Sequence, residues 1–150
     1  MNQRLLIPTE GRRRHAAPRY LYTLGYHEAG SVTLVETLVA LDVTLVDIRE
    51  FAISQRGCWQ GWWLAERFGR YYWHVPELGN VWYQQPGHAL RLANPERGLP
   101  LLLARLADGE ALALMCGCPQ VERCHRKLVA DLVQERLPCV QVIHLPVTPR

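Results

Sequence analysis

The chain has 150 residues, of which 49% are hydrophobic and 21% are charged, a balance typical of one globular domain with its own core. No apolar stretch approaches the roughly 18 residues that cross a bilayer, and the N-terminus lacks the apolar core of a signal peptide. The cysteines number five, and three of them fall in residues 116–124, which argues against a disulfide framework. We therefore expect a cytoplasmic protein without a membrane partner.

The net charge of +3 is unevenly distributed along the chain. Residues 1–19 carry five arginines and one glutamate, a net of +4, which leaves −1 for residues 20–150. We expect residues 1–19 to form a basic, flexible N-terminal arm that either contacts nucleic-acid phosphates or is only a solvated leader. Residues 20–150 are expected to form a single α/β domain.

Apolar runs and helical periodicity alternate along the rest of the chain. The pattern predicts five strands, at residues 19–24, 43–48, 71–75, 111–115 and 140–145. It predicts four helices, one starting near residue 31 and the others at residues 60–68, 99–107 and 122–137. Residues 76–98 hold three prolines and three glycines, which predicts an irregular insertion of the kind that often has a binding role.

The alternation of strands and helices indicates the fold class. Successive strand–helix–strand units predict an α/β fold, with a three-layer Rossmann-like arrangement: a mostly parallel sheet of about five strands and helices on both faces. Ligands of such sheets bind beyond the carboxyl ends of the strands. Residues 25–26, 47–49 and 116–126 are all predicted to lie at that edge.

The segment from residue 111 to residue 126 is the most informative of these. Its apolar run ends at Cys116, a loop with Gly117 follows, and an amphipathic run begins at Cys124. A strand, a short loop and a helix start place backbone N–H groups and the positive end of a helix dipole at one point. This arrangement suits anion binding, thiolate chemistry or metal ligation.

Anion recognition is the interpretation that the arginines favour. Arg49, Arg56 and Arg126 are predicted to converge on a phosphate or carboxylate, since a guanidinium can make two parallel hydrogen bonds to either group. Asp47 would orient Arg49 or act as a general base, or it would simply pair with Arg126 or Arg49 to tie adjacent loops together. The remaining predicted anion-binding residues are Gly25, Tyr26 and Tyr72.

Thiolate catalysis is the second interpretation. A cysteine at a helix N-terminus beside arginine has a depressed pKa, so that Cys116 or Cys124 could act as nucleophile with His125 as the proton carrier. The spacing matches neither the Cys-x5-Arg loop of cysteine phosphatases nor a Cys-x-x-Cys redox pair. The alternative is that these cysteines are small buried residues that pack the turn.

Zinc is the third interpretation, with Cys116, Cys118, Cys124 and His125 as the ligand set. Adjacent residues on a helix project about 100° apart, which makes joint ligation by Cys124 and His125 awkward. The sequence therefore predicts no metal ligand, and it identifies no cofactor.

Several motifs occur together in a characteristic order. They are Thr23-Leu24-Gly25-Tyr26, Leu45-Val46-Asp47-Ile48-Arg49, Pro76-Glu77-Leu78-Gly79, Cys116 and Cys124-His125-Arg126. With them, residues 20–145 resemble the bacterial and archaeal family labelled domain of unknown function 488. The resemblance implies the fold and the position of the site rather than a reaction. The chain departs from the family pattern at His27 and at residues 54–56.

Together these observations predict an anion-binding cleft that hydrolyses or transfers a group on a nucleotide or nucleic acid. Its partner would be a phosphate-bearing small molecule or a nucleic acid, with Asp47, His125 and Cys116 as catalytic residues. A non-catalytic module that binds nucleotide or nucleic acid and a thiol- or zinc-dependent domain are the two alternatives.

Overall fold

The computed structural model describes residues 19–26, 32–85, 87–118 and 121–145. Its five strands are β1 (Arg19–Gly25), β2 (Val43–Asp47), β3 (Tyr72–His74), β4 (Ala111–Cys116) and β5 (Val140–Leu145). The α-helices that lie within these described residues are α1 (Thr33–Ala40), α2 (Gly61–Phe68), α3 (Pro95–Ala107) and α4 (His125–Arg136). Residues 1–18 of the predicted basic arm and His27 lie outside the described residues.

The five strands form one all-parallel sheet in the order β3-β2-β4-β1-β5, which confirms the predicted α/β class. All of β2 and nearly all of β4 are buried. Both strands lack polar alternation in the sequence because helices cover both faces of a parallel sheet.

The helices divide equally between the two faces of the sheet. Val35 of α1 and Leu64 of α2 belong to one core cluster, whereas Leu102 of α3 and Val129 of α4 belong to the other. Right-handed crossovers account for this division. From β1 to β2 and β3 the chain moves across the sheet toward one edge, and from β3 to β4 and β5 it moves toward the other edge, while all strands stay parallel. Among the described residues, no helix is long and apolar enough to cross a membrane.

This reversal of direction places a crevice beside β4. The chain leaves β1 and β2 toward the α1–α2 face, and it leaves β4, which lies between them, toward the opposite face. Loops that diverge from neighbouring strands open a crevice at their carboxyl ends. In the sheet register Gly25 pairs with Cys116, and Asp47 pairs with Met115. The ends of three strands therefore border one crevice.

Two helices begin at residues other than those predicted. Helix α3 starts at Pro95, four residues before the predicted start, because Asn94 caps it by accepting a hydrogen bond from the Arg97 N–H at 3.3 Å. Proline is favourable at the first helical position, where its missing N–H costs nothing. Helix α4 starts at His125, three residues later than predicted, after a short 3-10 turn.

Arg19 belongs to the sheet, as the predicted strand at residues 19–24 has it, and not to the basic arm of residues 1–19, which was also predicted to include it. It is the first residue of β1 and only 6% exposed. Its Nη1 lies 2.8 Å from the Sγ atom of Cys139.

Candidate functional site

A cavity of about 350 Å³ lies at the carboxyl edge of the sheet. Its wall contains the predicted site residues Tyr26, Arg49 and His125, together with Gly117 and Cys118 from the loop after β4. The other lining residues follow β2 or belong to the segment after β3; they are Glu50, Phe51, Ile53, Asn80 and Tyr83. The crevice expected from the strand order is thus lined by polar and aromatic side chains.

Asp47 and Arg49 form a bidentate ion pair at the end of β2. Nε of Arg49 donates to Oδ1 of Asp47 at 2.8 Å, and Nη2 donates to Oδ2 at 2.6 Å. The side chains are 0% and 8% exposed, respectively. Burial alone would lower the pKa of Arg49. The hydrogen bond and the charge of Asp47 outweigh burial, so that the pKa of Arg49 is raised.

Two further donors occupy the Asp47 carboxylate. The backbone N–H of Arg49 donates to Oδ1 at 3.2 Å, and the Tyr72 hydroxyl donates to Oδ2 at 2.6 Å. With these, four donors use the four acceptor positions of a carboxylate. Burial and the adjacent Asp47 charge raise the pKa of Tyr72, which keeps its proton on the phenol. This geometry suits Asp47 to orienting Arg49 rather than to accepting a proton from a ligand.

Arg49 is also supported from the β1 side. Its guanidinium lies 5.5 Å from the centre of the Tyr26 ring, which in turn stacks on Trp59 at 5.1 Å. Nη1 donates to the Ile53 carbonyl oxygen at 3.2 Å. Contacts on several sides therefore fix the orientation of the guanidinium at the cavity wall.

The three predicted anion-binding arginines do not converge. Arg56 is exposed, with Nη1 3.4 Å from the Tyr26 carbonyl oxygen, and Arg126 is 1% exposed behind Gly25. A β-carbon at position 25 would overlap Nη1 of Arg126 and the carbonyl oxygen of Cys118. Arg49 is the one of the three that lines the cavity.

Three thiols and an imidazole meet between β4 and α4. Sγ of Cys116 lies 2.7 Å from Sγ of Cys124, which is 3.7 Å from Nδ1 of His125. With Cys118, the four ligand atoms lie within 4.8 Å of one another. All of these cysteines are free. Thiolate sulfur and imidazole nitrogen are the donors that zinc prefers, which makes this the set of residues able to hold a metal.

Two of these cysteines have opposite electrostatic environments. Cys116, the predicted nucleophile, is completely buried, and burial raises the pKa of its thiol. The pKa of Cys118 is lowered by hydrogen bonds from Cys116 and Cys124, which outweigh its partial burial. The cysteine that lines the cavity is Cys118, a residue that the sequence predicted only as a potential metal ligand.

His125 is held by both ring nitrogens. Nε2 lies 3.0 Å from the Ile48 carbonyl oxygen, which can only accept, so that Nε2 carries a proton. Nδ1 faces the sulfur of Cys124. Burial lowers the pKa of His125, but hydrogen bonds and charges from Cys118 and Cys124 outweigh it and raise the pKa to about 9. Neither nitrogen is directed by these contacts toward a ligand in the cavity.

The cavity rim contains exposed apolar side chains that the sequence reasoning missed. Phe51, Ile53 and Tyr83 are 55%, 62% and 48% exposed. The rings of Phe51 and Tyr83 lie 6.2 Å apart at an angle of 54°. The sequence gives only a weak indication of these residues, because single aromatic residues in loops are common. Their positions after β2 and after β3 are the one feature that indicates this edge of the sheet.

Gly79 joins the two loops that form this rim. A β-carbon at Gly79 would overlap the backbone of Glu50, so that only glycine allows the segment after β3 to pack against the loop after β2. The preceding Leu78 is fully buried and lies against Gly98 of α3. The Pro-Glu-Leu-Gly motif thereby positions Asn80 and Tyr83 at the cavity.

Residues 84–137 match the model of a protein family, DUF488-N3a, described as the active DUF488-N3 subclade. The matched segment includes α3, β4 and α4, and with them the cysteine and histidine cluster. No curated protein and no solved structure matches the chain.

Proposed function

Since the chain is a member of the DUF488 family, we propose that it is an enzyme acting on a phosphate-bearing nucleotide or nucleic acid. It hydrolyses or transfers a group on that substrate in the cavity beside β4. The observation that carries the proposal is the guanidinium of Arg49, fixed by Asp47 in the wall of this cavity. The matched model's description as an active subclade supports an enzyme rather than a passive binding module.

Arg49 is suited to hold the phosphate. Its hydrogen bonds to Asp47 and to the Ile53 carbonyl use three of its five N–H groups, which leaves one on each terminal nitrogen for a ligand. Because Asp47 fixes the guanidinium before binding, little side-chain entropy is lost when the phosphate binds. A charge-assisted hydrogen bond of this kind contributes roughly 1.5–3 kcal/mol.

The rim is suited to hold a nucleobase. Phe51 and Tyr83 line the cavity and are about half exposed, and Ile53 adds apolar surface. Stacking of a base on an aromatic side chain contributes about 1–3 kcal/mol and tolerates any base. A cavity of about 350 Å³ is within the range of small-molecule sites. We infer that the base lies at the rim and the phosphate at Arg49.

Glu50 is the residue suited to accept a proton during the reaction. Glu50 lines the cavity, whereas the oxygens of Asp47 are occupied by four donors. A carboxylate next to the bound phosphate can take a proton from an attacking water or hydroxyl. We assign the general-base role to Glu50 and the positioning of Arg49 to Asp47.

Calorimetry with nucleoside mono-, di- and triphosphates and with short single-stranded oligonucleotides tests the binding step. Arg49→Ala should weaken binding at least tenfold, which is the loss of about 1.4 kcal/mol. Arg97→Ala is the matched control, because the Arg97 side chain is 74% exposed and does not line the cavity. Equal affinity of the two variants, or no binding of any of these ligands by the natural chain, would refute the assignment.

Chromatography of the ligand after incubation tests the reaction step. We expect the natural chain to convert a bound ligand and Glu50→Gln to bind it with little change while turnover falls at least a hundredfold, the typical contribution of general-base catalysis. Tight binding without any conversion by the natural chain would instead identify a non-catalytic nucleotide-binding module.

A further inference from the structure

Cys116, Cys118, Cys124 and His125 bring four metal-ligating atoms within 4.8 Å of one another at the junction of β4 and α4. We propose that these residues form a zinc site. The proposal goes beyond the nucleotide-binding function, since it uses neither Arg49 nor the aromatic rim. Three thiolates and one imidazole are a complete ligand set for a closed, tetrahedral structural site.

The separations suit a single ion. With Zn–S of about 2.3 Å and Zn–N of about 2.0–2.1 Å, two tetrahedral ligand atoms lie about 3.6–3.8 Å apart. The distance from Sγ of Cys124 to Nδ1 of His125 is 3.7 Å. Sγ of Cys116 lies 2.7 Å from Sγ of Cys124, so that these two sulfurs would move apart by about 1 Å when the ion binds.

The groups around the ligands orient them for this role. Nε2 of His125 donates to the Ile48 carbonyl oxygen at 3.0 Å, which places Nδ1 on the side of the sulfurs. Metal-bound histidines commonly have such a backbone partner, which fixes the tautomer. Backbone N–H groups of Cys118 and Arg126 donate to the sulfurs of Cys116 and Cys124, each at 3.4 Å, and these contacts orient the two sulfurs.

Cys124 and His125 do not lie on one helix, although the sequence predicted that they would and that joint ligation would be awkward. Helix α4 begins at His125, and Cys124 is its N-cap, with φ −109° and ψ 145°. The extended backbone at Cys124 lets its sulfur fold back over the first turn, where it meets His125. Adjacent residues therefore present their ligand atoms to the same point.

The donor set indicates zinc rather than a hard cation. Thiolates are soft ligands that bind zinc far better than magnesium or calcium, which prefer oxygen. Binding displaces the protons of the thiols and of Nδ1 of His125 to solvent and forms Zn–S and Zn–N bonds without any change of oxidation state. Because Cys118 and His125 also line the cavity, the ion would hold the loop after β4 against the start of α4.

Metal analysis of the full-length chain, purified under reducing conditions without chelator after growth with added zinc, tests the proposal. We expect about one zinc per chain. After replacement by Co²⁺ we expect the visible absorption of tetrahedral cobalt and the near-ultraviolet band of thiolate-to-cobalt charge transfer. Cys58→Ser with Cys139→Ser is the matched control, since both cysteines lie outside the cluster, and it should keep both properties.

Two further variants keep the result interpretable. Cys118→Ser changes the half-buried ligand, so that the core is spared, and it should lose most of the bound zinc and weaken the charge-transfer band. Arg49→Ala should keep its zinc, which separates this site from the nucleotide site. Less than about a tenth of a zinc per chain in the natural protein, together with no thiolate band on cobalt addition, overturns the proposal. Unchanged zinc in Cys118→Ser would also overturn the four-ligand site.

Discussion

The guanidinium of Arg126 lies against the α-carbon of Gly25, where β1 ends and α4 begins its first turn. The carbonyl oxygen of Cys118 approaches the same face of Gly25. The end of β1 thus meets the loop after β4 and the first turn of α4 at one residue without a side chain. This contact sets the distance between the end of β1 and the loop after β4, which are both parts of the candidate site.

Gly25→Ala should therefore destabilise the fold. The added methyl group would overlap one guanidinium nitrogen and one backbone oxygen, and overpacking of this kind costs about 1–3 kcal/mol. Urea unfolding followed by circular dichroism measures the loss. Gly57→Ala is the control, because a β-carbon there meets nothing within 4 Å. Equal unfolding midpoints would contradict the close packing.

Asp47→Asn should lower the free energy of unfolding more than the loss of an exposed ion pair does. The substitution leaves Arg49 with a buried, uncompensated charge, and removing one partner of a buried pair costs about 3–5 kcal/mol. Glu36→Gln breaks the Glu36–Arg67 pair, whose side chains are 38% and 51% exposed, and should cost at most about 1 kcal/mol. Comparison of the two unfolding free energies checks the prediction, which fails if the values are similar.

Tyr72→Phe should lower both the free energy of unfolding and the affinity for nucleotide. It removes the hydroxyl that donates to Asp47 and should cost about 1–2 kcal/mol of unfolding free energy. Nucleotide affinity should also fall several-fold, because the Asp47 carboxylate is less constrained. The control is Tyr71→Phe, which removes a hydroxyl bonded to Asp42 at the exposed end of the sheet. A larger loss of affinity in Tyr71→Phe would contradict the assignment.

His144 should make the stability depend on pH. Burial lowers the pKa of His144, and the charges of Arg126 and Lys127 lower it further, although Asp131 and Glu122 act in the opposite direction. The unfolded chain then binds more protons than the folded one at acidic pH, so that this contribution to stability is complete above pH of about 6.5 and is lost below it.

Urea unfolding of the natural chain and His144→Gln at several pH values measures this contribution. The natural chain should lose more stability than the variant as the pH falls through about 6.5. His88→Gln, at an exposed histidine, is the matched control. Parallel pH profiles for the natural chain and His144→Gln would show that His144 does not contribute.

The fold followed from local patterns in the sequence. Buried strands such as Val43–Asp47 lack polar alternation, and the regular spacing of strands and helices indicates parallel pairing. The position of the site at the carboxyl edge followed from the same pattern. Asn94 and Pro95 are helix-start signals that were available in the sequence, but Gly98 and Pro100 within α3 obscured them.

The composition of the site depends on tertiary contacts that no local pattern determines. The ion pair of Asp47 with Arg49 was one of the predicted alternatives, because the two residues are only two positions apart in the chain. The burial of Arg126 behind Gly25 depends instead on how α4 packs against β1. The meeting of Cys124 with His125 depends on where the last helix begins: it begins at His125 rather than at residue 122, so that Cys124 is its N-cap and is free of the helical geometry.

The order of the strands has a consequence for synthesis on the ribosome. Strand β1 pairs only with β4 and β5, so both of its edges lack a native partner until residues 111–116 have emerged. Long-range pairing of this kind slows folding, and the waiting strand edges favour aggregation. We therefore expect the nascent chain to be most prone to aggregation before β4 has emerged, and a chain that ends before that strand would lack the strand that joins β1 to β2.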